Sequence, residues 1–394
     1  MERATLAATF VGAADRFGDL PALRWRTGEE WANLSYREAE DRVARIAAWL
    51  VAMGVRSGDR VGILSENRPE WPLFDYAALC IGAITVPVYP SLPADQVAYI
   101  LRDAGVRGVA ASTPEQLEKL ASLGSGLLEW TVLFGDAPMA APAADEAEGP
   151  RTGEAATAEP QAAAAVTTGD PHAVAFRTVL DGAPLPDLRA RAAAVRPDDV
   201  ATVVYSSGTT GTPKGVMLSH GNMAFMVAAT RQQGAIRSDP GEVSLSILPL
   251  SHVLERASEY FFWDEGVTIA YAQAIETLAE DLLAVRPNIM VSVPRLFEKL
   301  HARVVRSPGL AGRLARMAAG AAVRAGAARA RGRRPSLGDR LRLALADRTV
   351  FAVLRRRTGG RIRSFISGGA PLDADVATFF FAARLPIYEG YGLT

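Results

Sequence analysis

Val203-Val-Tyr-Ser-Ser-Gly-Thr-Thr-Gly-Thr-Pro-Lys-Gly-Val-Met-Leu-Ser-His-Gly-Asn222 divides into three parts of different physical character. Thr202 to Tyr205 are β-branched or aromatic and carry no charge, which predicts a buried strand. The middle part is small and hydroxylated. Gly208 and Gly211 admit positive φ and let backbone approach an anion closely. Successive N–H groups in such a turn form an anion-binding concavity, to which the hydroxyls of Ser206, Ser207, Thr209 and Thr210 add donors. Lys214 supplies a compact charge suited to phosphate oxygens. A second apolar run, Val216 to Leu218, follows, and Ser219 is placed to cap a helix. The stretch reads as a polyphosphate loop between two ordered segments. It is not a Walker A loop, because no glycine precedes the lysine.

Upstream, Ser35-Tyr-Arg-Glu38 is a capping box, and Val43, Ile46, Ala47 and Leu50 continue at helical spacing as far as Gly54. Strands are expected over 59–64, 84–88 and 106–111, with helices carrying Trp71 to Leu79 and Ala94 to Ala104 between them. Downstream the pattern repeats: a helix over 222–231, a strand over 242–248, a helix over 274–285, a strand over 289–293, a helix from Pro294, and strands ending near Ser367 and Glu389. Strands alternating with helices at this spacing predict an α/β fold with mostly parallel sheets. From 137 to 168 the chain is rich in Ala, Pro, Glu, Thr and Gly without periodicity, which predicts a disordered low-complexity insertion.

Composition limits the function classes. Lys plus Arg and Asp plus Glu number 43 each, so the overall charge favours no nucleic-acid partner. The single cysteine, Cys80, lies in an apolar run that reads as core, and a chain without an internal disulfide suits the reducing cytoplasm. The longest apolar stretch, Ala77 to Val88, is too short to span a bilayer. No Gly-x-Ser-x-Gly elbow, His-Glu-x-x-His pair or cysteine cluster is present. Two segments keep two readings each. Arg303 to Arg363 is either a solvated helical face or a surface for an anionic membrane. Phe261, Phe262, Trp263 and Tyr271 either line an acyl tunnel or form core.

Three further segments place glycines or a polar side chain after an expected strand, where open α/β sheets bind ligands. They are Pro249-Leu-Ser-His252, Ser367-Gly-Gly-Ala-Pro-Leu372 and Tyr388-Glu-Gly-Tyr-Gly-Leu-Thr394. Together with the phosphate loop, and with Leu64-Ser-Glu-Asn-Arg-Pro-Glu-Trp71, Val86-Pro-Val-Tyr-Pro90 and Val293-Pro-Arg-Leu-Phe-Glu-Lys299, they resemble the motifs of the long-chain fatty-acid–CoA ligases, which are AMP-forming acyl-adenylate ligases. The resemblance implies the fold of that family's large N-terminal domain. It also implies that Ser206, Ser207, Gly208, Thr209, Thr210, Gly211 and Lys214 hold the phosphates of ATP, with Ser206 a magnesium contact. His252 then lies near the carboxylate and the α-phosphate. Gly369, Ala370, Glu389, Gly390 and Tyr391 match the adenine pocket, and Thr394 the threonine at the α-phosphate.

The implied reaction activates a fatty acid with ATP and Mg2+ and transfers the acyl group to CoA. The family's magnesium glutamate, its ribose-binding aspartate and its small C-terminal domain have no counterpart in these 394 residues, so the chain reads as an incomplete N-terminal AMP-binding domain. Two alternatives stay open: a fatty acyl-AMP ligase that loads a carrier protein, and a non-catalytic nucleotide-binding fragment.

Overall fold

The computed structural model describes residues 4–124, 126–135, 138–139, 173–206, 213–234 and 236–392. Of the expected insertion, only Pro138 and Met139 fall among them; Ser207 to Gly211 and Thr394 lie outside the described residues. The chain forms two compact units, one reaching to Ala229 and resuming over Pro249–Gly266, the other comprising Thr230–Leu248 and the chain from Val267.

The first unit is built on a seven-stranded sheet. From one edge its order is Ala173–Ala175, Trp130–Leu133, Gly108–Ala111, Arg60–Leu64, Ile84–Val88, Val200–Ser206 and Lys214–Ser219. Every neighbouring pair is parallel except the last, which is an antiparallel hairpin. Ser35 starts helix Tyr36–Ala52 as the sequence predicts: its backbone N–H donates to Glu38 Oε2 at 2.7 Å, and its hydroxyl accepts from Glu38 N at 3.2 Å. Helix Glu70–Cys80 is buried on every side, the pattern of a helix inside a core. Its two carboxylates therefore need partners. Glu70 is held by Arg68 at 2.8 and 3.1 Å, and Asp75 by Arg256. The backbone N–H of Met139 also donates to Glu70, while Trp25 Nε1 donates to the Met139 carbonyl at 2.9 Å.

Phe261, Phe262 and Trp263 are core: Trp263 stacks on Phe10 at 5.2 Å and meets Tyr36 and Tyr76. Cys80 is likewise buried, and burial pushes its thiol pKa upward. Gly108 is required by close packing, since a Cβ there would lie 2.2 Å from the Trp130 ring.

Five parallel strands carry the second unit, in the order Ile387–Gly390, Ser364–Gly368, Ile289–Ser292, Val243–Ser246 and Thr268–Tyr271. Tyr271 is buried here. Phe297, Phe365 and Phe380 form an aromatic cluster against the sheet. The Ala/Arg-rich segment folds as helices Gly309–Ala330, Leu337–Arg348 and Val350–Arg357. In the first of these helices, Ala315, Ala318, Ala322 and Ala325 face inward, because small side chains let neighbouring helices approach. Among the described residues, no helix is long and apolar enough to cross a membrane.

Candidate active site

The strands on either side of the expected phosphate loop pair with each other. Val200–Ser206 and Lys214–Ser219 pair with Ser206 opposite Lys214, Tyr205 opposite Gly215 and Val204 opposite Val216. A Cβ on Gly215 would lie 2.8 Å from Val203 Cγ1 and 3.0 Å from Tyr205 Cζ, so the glycine of Pro-Lys-Gly makes room for the facing side chains. Tyr205 then reaches past it and donates to Asp103 Oδ2 at 2.6 Å. Burial, followed by this carboxylate, raises the tyrosine pKa. At the other arm, Tyr99 donates to the Pro213 carbonyl at 3.3 Å. The cap expected at Ser219 is present: its hydroxyl accepts from Asn222 N at 3.1 Å, and its N–H donates to Asn222 Oδ1 at 3.0 Å.

His252 is fixed from both sides. Leu250 N donates to Asn67 Oδ1 at 2.9 Å, and Ser251 Oγ to the Val88 carbonyl at 3.1 Å. These bonds seat the segment over the carboxyl ends of Arg60–Leu64 and Ile84–Val88. Strand order changes direction between Arg60–Leu64 and its other neighbour, Gly108–Ala111, since the chain leaves the first toward Ile84–Val88 and the second toward Trp130–Leu133. That is where doubly wound sheets form binding crevices. His252 also caps helix Val253–Glu265, its Nδ1 accepting from Leu254 N at 3.1 Å. An accepting Nδ1 puts the neutral ring's proton on Nε2 and leaves that N–H to donate. Desolvation lowers the ring's pKa, which favours this neutral form.

A cavity of about 360 Å³ opens beside the hairpin, lined by Tyr89, Gln96, Ile100, Ser206, Pro213 and His252 among others. Its origin is legible in the backbone. Pro87 offers no N–H to a ladder, and Ile84–Val88 registers with Val200–Ser206 only at Thr85–Thr202. Beyond that pair the two strands are unpaired toward their carboxyl ends.

Beneath the cavity lies a buried polar network that the sequence reading missed. Arg256 Nε donates to Tyr260 Oη at 2.7 Å and to Asp75 Oδ2 at 3.2 Å, and Nη1 donates to Thr202 Oγ1 at 2.6 Å. Nη2 donates to Asp75 Oδ1 and Thr85 Oγ1. Burial opposes the arginine's charge, but Asp75 and Tyr260 outweigh it and raise its pKa. The network ties the helix that follows His252 to the strand that feeds the phosphate loop. A signal was available: Arg256, Tyr260 and Trp263 recur at the spacing of one helical face.

In the second unit, Ser367 pairs with Glu389 and Gly368 with Gly390 at the carboxyl ends of adjacent strands. Gly369 has φ +82° and open space where a Cβ would stand. Glu389 Oε1 accepts from Leu372 N at 2.9 Å, which fastens the Gly-Gly-Ala-Pro turn to the last strand. Gly369, Ala370, Glu389, Gly390 and Tyr391 are all solvent-exposed, and the structure brings them together as neighbours. Ser206, Lys214 and His252 belong to the first unit. No group of three or more His, Cys, Asp or Glu able to hold a metal occurs among the described residues.

The family described as AMP-binding enzyme matches residues 10–394. The long-chain fatty-acid–CoA ligase FadD15 of Mycobacterium tuberculosis is 35% identical over 369 residues, covering 92% of this chain and 56% of that protein. The peroxisomal long chain acyl-CoA synthetase 6 of Arabidopsis thaliana is 31% identical, over 99% of this chain and 52% of that protein. The chain thus spans about half the length of the curated relatives it matches. The fold is that of the adenylation domain of a Mycobacterium chelonae carboxylate reductase, with TM-score 0.69 and 22% identity over all of this chain and 58% of that one. It is also that of the N-terminal domain of FACL13 from Mycobacterium tuberculosis, with TM-score 0.64 and 20% identity over 99% of this chain and 76% of that one. On the match over residues 10–394, this chain belongs to the AMP-binding enzyme family.

Proposed function

We propose that this chain is the large nucleotide- and acid-binding domain of a long-chain fatty-acid–CoA ligase. The observation that carries the reading is the hairpin mouth: Ser206 faces Lys214 across it, and Ser206, Pro213 and His252 line one cavity. A cation and a hydroxyl flanking a glycine-rich turn suit a polyphosphate, and a neutral histidine donor beside them suits an oxyanion.

In the proposed reaction a fatty carboxylate oxygen attacks the α-phosphorus of ATP. The bond to the bridging oxygen breaks, and its electron pair leaves with pyrophosphate. The sulfur of CoA then attacks the acyl carbon, and AMP departs. A carboxylate is a weak nucleophile, so the protein acts by positioning and by offsetting charge. Lys214 and the loop amides, with Ser207 to Gly211, take the leaving phosphates. His252 Nε2–H is available to a carboxylate or α-phosphate oxygen. Gly369, Ala370, Glu389, Gly390 and Tyr391 take the adenine ring, and Thr394 the α-phosphate. Ser206 would offer one oxygen to a magnesium ion held on the nucleotide's phosphates, and the ion would supply charge neutralisation there when bound.

Calorimetric titration with Mg·ATP tests the reading. Lys214→Ala removes a charge-assisted contact of about 1.5–3 kcal/mol, so affinity should fall about 10- to 150-fold. Unchanged affinity would remove the phosphate-loop assignment. Palmitate-dependent pyrophosphate exchange then tests the first half-reaction. Formation of an acyl thioester on added CoA, against transfer only to a carrier protein, identifies the acceptor.

A further inference from the structure

Helix Leu337–Arg348 is mounted with its apolar side outward. Its buried residues are Asp339 and Ala346, whereas Leu337, Leu341 and Leu345 are 70%, 64% and 47% exposed. Four-residue spacing aligns the three leucines on one face. Exposed Arg340 and Arg348 flank that face, and exposed Arg331, Arg333 and Arg334 precede it. Beside the helix lies a groove of about 340 Å³, formed by Ala344 and Arg348 together with Arg329, Phe381 and Arg384. Phe381 is itself 62% exposed.

The charge here is one-sided. Residues 303–363 contain seventeen arginines and no lysine or glutamate, with Asp339 and Asp347 the only acids. Both aspartates are paired: Asp339 with Arg324 and Arg342, and Asp347 with Arg355 and Arg384. A leucine stripe of this exposure inside a basic field has no counterpart on an ordinary solvated helix, which turns its apolar side inward. The apolar and cationic groups match the two layers of an anionic lipid interface, acyl boundary and phosphates. Arginine stems lie along apolar surface while their heads stay with the phosphates.

We propose that the outward face of Leu337–Arg348, with the adjoining Phe381 groove, docks reversibly on the surface of an anionic lipid bilayer. This surface lies within the second unit and does not depend on the adenylation reading. Attraction to anionic lipid is about fivefold in partitioning per arginine near the surface, and salt screens it.

Cosedimentation of this chain with phosphatidylcholine vesicles, with and without phosphatidylglycerol, is the test. Binding is expected only where phosphatidylglycerol is present, and it should weaken as salt is raised. Arg340→Gln with Arg348→Gln should lower partitioning about 25-fold. Leu341→Gln with Leu345→Gln should abolish stable binding. All four side chains are exposed, so circular dichroism should be unchanged and Mg·ATP titrations should match the parent chain. Absence of binding to anionic vesicles overturns the proposal, as does undiminished binding by both double variants. Self-association that Leu341→Gln with Leu345→Gln abolishes, without vesicle binding, gives the face to a second copy and overturns it equally. Lys214→Ala must leave vesicle binding intact, so failure at the nucleotide site and failure at this surface are separately visible.

Discussion

Asp75→Asn isolates the electrostatic part of the network that joins the helix after His252 to the strand before the phosphate loop. Arg256 is fully buried, and Asp75 is the only carboxylate among the groups its guanidinium bonds: Asp75, Tyr260, Thr202 and Thr85. Asparagine keeps the size of the side chain but removes the charge, leaving a buried cation among neutral dipoles. Breaking one half of such a pair costs about 3–5 kcal/mol, because the remaining charge keeps its desolvation penalty without its partner. Asp75→Leu with Arg256→Met should cost less than the sum of the two single changes, since it removes both charges together. Urea unfolding followed by tryptophan fluorescence reports this directly. All six tryptophans, Trp25, Trp31, Trp49, Trp71, Trp130 and Trp263, belong to the first unit, so the signal follows that unit alone. A loss of under about 1 kcal/mol for Asp75→Asn, the value of an exposed pair, would refute the reasoning.

Gly108→Ala pushes a methyl into the Trp130 ring and should destabilise the first unit by about 1–3 kcal/mol, read by the same unfolding curve. His220 is fully buried, and desolvation lowers its pKa from 6.5 to about 4. The unfolded chain therefore binds the proton first as pH falls. Stability is complete above pH 6.5 and declines toward pH 4, by about 3 kcal/mol in all; His220→Phe should flatten that slope. His252→Ala removes a helix cap worth about 1 kcal/mol, whereas His252→Asn restores a capping oxygen without the ring N–H. Stability should recover in the asparagine variant, and palmitate-dependent pyrophosphate exchange should stay low.

The elements that a one-dimensional pattern determines were readable. The Ser35–Glu38 box, strand Ile84–Val88 and helix Ala94–Ala104 stand where periodicity and caps place them. What escaped depends on packing that no local pattern reports. Hairpin Pro21–Thr27 with Glu30–Ser35, helix Leu6–Phe17 and strand Thr268–Tyr271 are short or flanked by mixed residues and gain their definition from packing. Arg256 illustrates the limit. An arginine reads as surface until Asp75, 181 residues away, is known to meet it. The leucines of Leu337–Arg348 show the converse, since spacing reports that they share a face but not which way the face points.

At the site, the sequence suggested a phosphate loop but not the way its flanking strands pair. Lys214 begins a strand antiparallel to Val200–Ser206, and the helix starts only at His220. In a Walker-type turn, the loop runs straight into a helix whose amino end contributes partial positive charge to the phosphates. Here a strand intervenes, so in the proposed reading no helix amino end follows Lys214 directly, and the positive charge offered to a phosphate would be that of Lys214. Hairpin geometry compensates in another way. Its register is set by the Val204–Val216 and Tyr205–Gly215 pairs, and slipping it by one residue would turn every side chain to the opposite face. Lys214 therefore stays opposite Ser206 as long as Gly215 leaves room for Tyr205 and the Tyr205–Asp103 bond holds. The glycine that follows the lysine thus preserves the position of the charge that the proposed phosphate site would use.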